Sequence, residues 1–211
     1  MFEKERQTMV EYQLKKRGII NDRVLTAMNV IPRHMFIPEV SRVMAYGDFA
    51  VPIGQAQTIS QPYIVAKMLE LLDPQFEDKI LEVGSGSGYV VALLSKLCTK
   101  VIGVERIPTL VTGSRAKLKE LKITNAGIVE GDGSLGAIHY QPFNKIIVSA
   151  ACPEIPEDLV TQLKMNGTLV IPIGDRMKQK IIKATKTPKG LKLEEYGDCS
   201  FVPLLGLAGF K

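Results

Sequence analysis

Three glycines at every second position, Gly84, Gly86 and Gly88, with Ser85 and Ser87 between them, mark the stretch of this chain whose spacing speaks most directly of chemistry. Glycine lets a ligand lie against bare backbone, because no side chain intervenes and positive φ costs little. Glu82 precedes the first glycine by two residues, Glu105 ends the next apolar run, and Asp132 follows the run after that. A dinucleotide fingerprint places its last glycine three residues after the second, so that a pyrophosphate rests on a helix N-terminus. Here the spacing is even, and carboxylates crowd the same crevice and would repel a phosphate. A nucleoside without phosphate suits them better. S-adenosylmethionine has the parts: ribose, adenine, a cationic sulfonium and an amino-acid tail. Glu105, about twenty residues beyond the first glycine, stands where an acid can accept both ribose hydroxyls. The alternatives at this level are a nicotinamide-type dinucleotide turn and a glycine-rich loop that holds nothing.

Such residues need a strand, a turn and a helix to position them. Residues 80–83 form a short branched run of the kind that a parallel strand buried on both faces requires, and Val90, Val91, Leu93, Leu94 and Leu97 then recur at helical spacing. A second strand over 101–104 ends on Glu105, a third over 127–131 ends at Asp132-Gly133, and a fourth over 143–149 buries Ile146, Ile147 and Val148. Its end, Ser149-Ala150-Ala151, is small and leaves room for the sulfonium or for an acceptor. Helices are expected over roughly 110–121 and 156–163, then a turn at Asn166-Gly167 into a strand over 168–173. Residues 180–185 and 191–196 read as antiparallel strands joined across Pro188-Lys189-Gly190. The expected fold is α/β: a doubly wound Rossmann-like sheet with an N-terminal helical cap and antiparallel edge strands. One domain should cover 1–211, with 1–78 as cap and substrate segment and 79–211 as core and tail.

Ahead of the glycines, the pattern predicts an amphipathic helix over 2–17 closed by Gly18, and a second helix capped by Asn21 or Asp22 that ends before Pro32. Pro32 and Pro38 forbid a long helix between them, and His34 there reads as a packed, hydrogen-bonded residue rather than a base. Residues 46–60 are polar and largely irregular. They run into Gln61-Pro62 and a helix that lasts until Pro74, which puts Ser60 at or near an N-cap. Capping alone would select a serine there, and a chemical role is the competing reading.

A chain of 211 residues, 45% hydrophobic and 23% charged, suffices for one well-packed core. Its net charge of +5 is spread along the sequence, so no nucleic-acid partner is expected. The lysines between 178 and 192 alternate with apolar residues, as on the wet faces of strands. Cys98, Cys152 and Cys199 have no paired ligand spacing and only His34 and His139 accompany them, so no metal centre is expected. Widely spaced cysteines in odd number suit free thiols, and no apolar leader or membrane-spanning stretch is apparent. The expectation is a cytoplasmic protein without membrane contact.

With these residues in view, nearly the whole chain resembles the protein-L-isoaspartate (D-aspartate) O-methyltransferases. The resemblance is carried by Pro32-Arg33-His34-x-Phe36, by Gly54-x-x-Gln57-Thr58-Ile59-Ser60-x-Pro62, by Leu81-x-Val83-Gly84-Ser85-Gly86-Ser87-Gly88-Tyr89, by Gly131-Asp132-Gly133 and by Phe201-Val202-Pro203-Leu204. It implies transfer of the methyl of S-adenosylmethionine to the free carboxylate of L-isoaspartyl residues, and weakly of D-aspartyl residues, in age-damaged proteins. It also implies that Gly84, Ser85, Gly86, Glu105, Asp132 and Gly133 hold the cofactor, with Gly88 supporting the turn. Thr58, Ile59 and Ser60 would close over it, Ser60 as the active-site serine that orients the carboxylate, and Val202 would line the peptide groove. Weighed against this are a methyltransferase for RNA or a small molecule and a non-catalytic cofactor-binding module. Ser149-Ala150-Ala151-Cys152 stands where enzymes of exocyclic amines often carry a proline-aromatic segment, and the intact Ser60 segment and glycines oppose the module.

Overall fold

A computed structural model describes residues 2–211. Its centre is a seven-stranded sheet formed by β3 (Lys79–Val83), β4 (Lys100–Glu105), β5 (Ala126–Glu130), β6 (Phe143–Val148), β7 (Leu163–Gly174), β8 (Gln179–Thr187) and β9 (Gly190–Cys199), in the spatial order β5-β4-β3-β6-β7-β8-β9. Pairing from β5 to β7 is parallel, and β8 and β9 extend the sheet antiparallel. The central parallel strands β3 and β4 are almost continuously buried because helices cover both faces, whereas β9 is exposed or half-exposed throughout. The doubly wound sheet with antiparallel edge strands is thus present as the apolar runs indicate. From β3 the chain winds outward through β4 to β5, then returns to the other side of β3 as β6. The crevice of such a sheet opens at the carboxyl ends of the strands where this order reverses.

The N-terminal cap begins with α1 (Glu3–Thr8), which widens into π winding over Met9–Leu14 and tightens to 3-10 over Lys15–Arg17 before Gly18 stops it at φ 90°. One regular helix was the expectation from the sequence. The widened stretch is where Met9, Val10 and Leu14 are buried, so packing sets the winding. Asn21 is the cap of α2 (Asp22–Val30), its side chain accepting from the amides of Arg23 and Val24 at 3.1 and 3.3 Å.

Residues 46–60 depart from the irregular segment expected. They contain a hairpin of β1 (Val51–Gly54) and β2 (Gln57–Ile59), whose turn residues Gln55 and Ala56 both have φ of 55°. A two-residue turn with left-handed backbone at both positions is normally signalled by Asn or Gly, and Gln55 and Ala56 are neither. A helix, α3 (Pro62–Leu72), follows. The turn expected at Asn166-Gly167 lies inside β7, where Asn166 takes φ 62° and the register with β6 shifts between Phe143 and Lys145.

The helices α4 (Tyr89–Leu94), α5 (Pro108–Glu120) and α6 (Glu157–Gln162) complete the layers. One buried cluster joins the cap, α3 and α4 to one face of the sheet, and a second lies under α6 and Leu204 on the other. No helix among the described residues is long and apolar enough to cross a membrane.

Candidate active site

The glycine turn leaves the end of β3 with all three glycines in the left-handed region, at φ 73°, 51° and 85° for Gly84, Gly86 and Gly88. Amides of Gly84 and Ser85 both donate to the carbonyl of Val104, at 2.9 and 3.0 Å, which fastens the turn to β4. Gly88 starts α4, and a Cβ there would stand 2.9 Å from Cβ of Ser114 on α5. Its role is close packing. Glu105, nearly buried, is the clamp of the turn: Oε2 accepts from the amide of Gly86 at 2.8 Å, and Oε1 accepts from Arg106 and Ile107 at 2.8 and 2.9 Å. A carboxylate offers about four acceptor sites, so roughly one remains toward a ligand.

Three cavities meet here. The largest, about 480 Å³, lies between the tip of the β1–β2 hairpin, Gly84 and Gly86, Glu105, Gly133 and Leu204. A second, about 390 Å³, runs past Phe49, Ser60, Ile64, Cys199 and Val202. Between them a small space of about 30 Å³ is lined by Ile59, Ser60, Glu82, Ser85, Tyr89 and neighbours. Thr58 and Ser149 border all three. The small space is polar in an unusual way: Oε2 of Glu82, Oγ of Ser85 and the hydroxyl of Tyr89 are buried there without a hydrogen-bond partner. Buried polar groups are nearly always paired, so three orphans around one space call for a polar ligand group. Burial pushes the Glu82 carboxyl up to about 8, with Glu105 adding to the rise, against the opposing hydrogen bonds from Ser149 and Val91. A small-molecule cavity with bare glycine backbone, one spare carboxylate lone pair and an amphoteric polar end fits S-adenosylmethionine.

Ser60 stands two residues ahead of α3. The cap position belongs to Gln61, and the helix starts without a side-chain cap, so capping does not account for Ser60. What fixes it is Arg33, which sequence reasoning noted only as part of a motif. Arg33 is fully buried, and its Nε donates to the carbonyl of Ala45 at 2.7 Å while Nη2 donates to the carbonyl of Ser60 at 2.8 Å. Its guanidinium lies 5.1 Å from the ring centre of Tyr89. Burial lowers its pKa to about 10, which still leaves it protonated at neutral pH. An arginine between two prolines was the available signal; its burial was not visible until two carbonyls closed around it. His34 pairs through Nδ1 with the hydroxyl of Tyr46 at 2.8 Å and packs on Phe2, away from the cavities, as its neighbours suggested.

Of the residues expected to hold a cofactor, Thr58, Ile59, Gly84, Ser85, Gly86, Glu105 and Gly133 border the cavities, and Ser60 and Val202 face the second. Asp132 does not border these cavities, and three hydrogen bonds leave it, like Glu105, about one acceptor site. Its Oδ1 accepts from the amide and hydroxyl of Ser134 at 2.9 and 2.7 Å, and Oδ2 accepts from the amide of Leu207 at 2.8 Å. Burial alone would raise the Asp132 pKa, but the bonds from Leu207 and Ser134 outweigh it and hold the group below the usual range. The tail is anchored on Ala151, whose amide donates to Val202 and whose carbonyl accepts from Leu204, both at 2.8 Å.

The family model described as protein-L-isoaspartate(D-aspartate) O-methyltransferase matches residues 4–209. A protein-L-isoaspartate O-methyltransferase of Petrotoga mobilis is 47% identical over 211 residues, covering 99% of each chain. One of Methanoculleus marisnigri is 45% identical over 208 residues, covering 99% of this chain and 94% of the relative. Among solved structures, a Plasmodium falciparum protein described as a protein-L-isoaspartate O-methyltransferase, in complex with S-adenosyl-L-homocysteine, superposes with a TM-score of 0.81 at 32% identity, covering 95% of this chain and 98% of that one.

Proposed function

The chain belongs to the protein-L-isoaspartate(D-aspartate) O-methyltransferase family, and from that premise we propose how its residues divide the work. The reaction moves a methyl group from S-adenosylmethionine to the free carboxylate of L-isoaspartyl residues, and weakly of D-aspartyl residues, in damaged proteins. The ester so formed is attacked by the neighbouring backbone nitrogen, which loses its proton as methanol leaves, and the resulting succinimide hydrolyses in part to normal aspartate.

S-adenosylmethionine, when bound, supplies a methyl carbon already activated by its sulfonium. The acceptor carboxylate is ionised at neutral pH, so no base has to take a proton from it. The protein's task is alignment and exclusion of water. Gly84, Ser85 and Gly86 form the backbone cradle, the remaining lone pair of Glu105 serves the ribose, and Gly133 borders the adenine end, which Asp132 closes by holding the tail. Thr58 and Ile59 cover the junction of the cavities. Ser60 donates a hydrogen bond that turns the acceptor carboxylate toward the methyl group, and Val202 walls the peptide groove. The observation that carries this reading is that Ser60 caps no helix yet borders both the groove and the small polar space, with its backbone pinned by Arg33.

Cap and core act as one domain over 1–211, a reading supported by the buried cluster they share. Free thiols at Cys98, Cys152 and Cys199 suit a reducing compartment, which favours the cytoplasm. The test is a matched pair of short peptides, one with isoaspartate and one with aspartate, incubated with radiolabelled S-adenosylmethionine. Base-labile methyl ester on the isoaspartyl peptide alone is the expected result. No label on either, with cofactor binding intact, would overturn it.

A further inference from the structure

We propose that Ser149 is a second substrate-positioning hydroxyl at the methyl-transfer point, held by Glu82 so that its own hydrogen faces the acceptor carboxylate. The inference rests on the reaction proposed above. Ser149 follows the last residue of β6, and its amide is fixed by a 2.8 Å bond to the carbonyl of Val83 on β3. Its hydroxyl lies 2.6 Å from Oε1 of Glu82. Ser60 arrives from the loop before α3, and the two serines border both the groove and the small polar space. Ser149 also borders the large cavity. It therefore stands where donor and acceptor must meet. A carboxylate held by one hydrogen bond can still swing about it, whereas contacts from two sides fix its plane, and in-line transfer depends on that plane.

Glu82 decides what Ser149 can offer. An ionised carboxylate would consume the hydroxyl hydrogen of Ser149 and place a negative charge beside the arriving one. A protonated Glu82 instead donates to Oγ, which leaves the Ser149 hydrogen free and the site uncharged. Burial favours the protonated form, since Glu82 is 1% exposed. Of the titratable groups around it, Glu105 on β4 disfavours a second charge, and Tyr89 at the start of α4, pushed up to about 12 by burial, stays neutral. The buried cation Arg33 lies beyond Tyr89, 5.1 Å from its ring centre; Nε and Nη2 donate to Ala45 and Ser60, and Nη1 is left without a partner.

The test is steady-state kinetics on an isoaspartyl peptide at saturating S-adenosylmethionine, followed by release of S-adenosylhomocysteine because the ester is lost at alkaline pH. Ser149→Ala should lower kcat/KM for the peptide about tenfold, the loss of one hydrogen bond, while affinity for S-adenosylhomocysteine by calorimetry stays within about twofold. Ser149→Thr keeps a hydroxyl and should recover most of the loss. In the unaltered protein kcat/KM should fall about tenfold one pH unit above the Glu82 midpoint near 8, and Glu82→Gln, which cannot ionise, should flatten that fall. Ser149→Ala indistinguishable from the unaltered protein, Ser149→Thr as poor as alanine, or Glu82→Gln with an unchanged pH profile would each overturn the proposal. Absence of turnover in the unaltered protein would instead overturn the functional reading beneath it.

Discussion

Replacing Glu82 with glutamine removes a titration from the interior and changes little else, because at the 2.6 Å separation of Oε1 and Ser149 Oγ the amide can donate as the proposed protonated carboxyl would. The consequence for stability follows from the displacement of Glu82 from 4.5 to about 8. For an acid raised in the folded state, the folded chain keeps its proton where the unfolded chain has lost it. Stability is therefore greatest below the unfolded value and drains away as pH rises through the folded value. At about 1.4 kcal/mol per unit the full displacement corresponds to roughly 5 kcal/mol, a large part of the 5 to 15 kcal/mol that holds a typical domain together. Glutamine does not titrate, so the variant should gain on the unaltered protein between about pH 4.5 and 8 and hold a constant lead above that. For a chain of this size the lead amounts to a rise in Tm of about 10 to 20 °C at pH 9. Urea unfolding of both proteins at one-unit steps from pH 5 to 9, without cofactor, reads it directly. All other groups titrate in both proteins and cancel in the difference. A difference that stays flat across this range would refute the buried, protonated Glu82 and the argument for Ser149 that uses it.

Four further outcomes are expected. Ser60→Ala should cut turnover by ten- to a hundredfold with cofactor affinity within about twofold and urea stability within about 0.5 kcal/mol; a loss near the ~1 kcal/mol of a removed cap would return Ser60 to a capping role. Arg33→Met strips the carbonyls of Ala45 and Ser60 of their donors and should cost about 2 to 5 kcal/mol in urea titration together with most activity, so a variant of unaltered stability would refute its role as anchor. Gly88→Ala combines φ 85° with a Cβ 2.9 Å from that of Ser114 and should destabilise by about 1 to 3 kcal/mol; adding Ser114→Gly should relieve the contact and leave the backbone part, and no relief would refute the packing account. Glu105→Ala frees the amides of Gly86, Arg106 and Ile107 as well as a ribose partner, so calorimetric cofactor affinity and urea stability should fall together; affinity lost alone would mean that the clamp contributes nothing.

Where the chain writes its structure locally, the sequence was legible. Parallel strands buried on both faces must be short apolar runs, and β3, β4 and β6 lie where such runs occur. The α2 cap was narrowed to two residues by type alone, and the structure selects Asn21. The hairpin over 51–59 was hidden because Gln55 and Ala56 take left-handed backbone without a residue that advertises it. The bond between Asp132 and the tail was hidden because its donor, the amide of Leu207, is 75 residues away in the chain. For Ser60 the sequence held two readings that only the start of α3 at Pro62 could separate.

The three buried groups that hold the site share a pattern that bears on the chemistry. Arg33 fixes the backbone of Ser60, Glu105 fixes the amide of Gly86, and Glu82 fixes the hydroxyl of Ser149. Each is spent on another group of the protein, and each such group borders a cavity. General-base catalysis would need a titratable side chain facing the acceptor with an open lone pair and a pKa near the working pH. Glu82 has the pKa and an unpartnered Oε2, but an ionised acceptor carboxylate has no proton to give it, and His34, the usual candidate, is paired with Tyr46 outside the cavities. What the site presents to a carboxylate is hydroxyls, backbone and exclusion of solvent. That is the equipment an already ionised nucleophile and an already activated methyl group require, and it explains why buried ionisable groups in this fold are used for placement rather than for proton transfer.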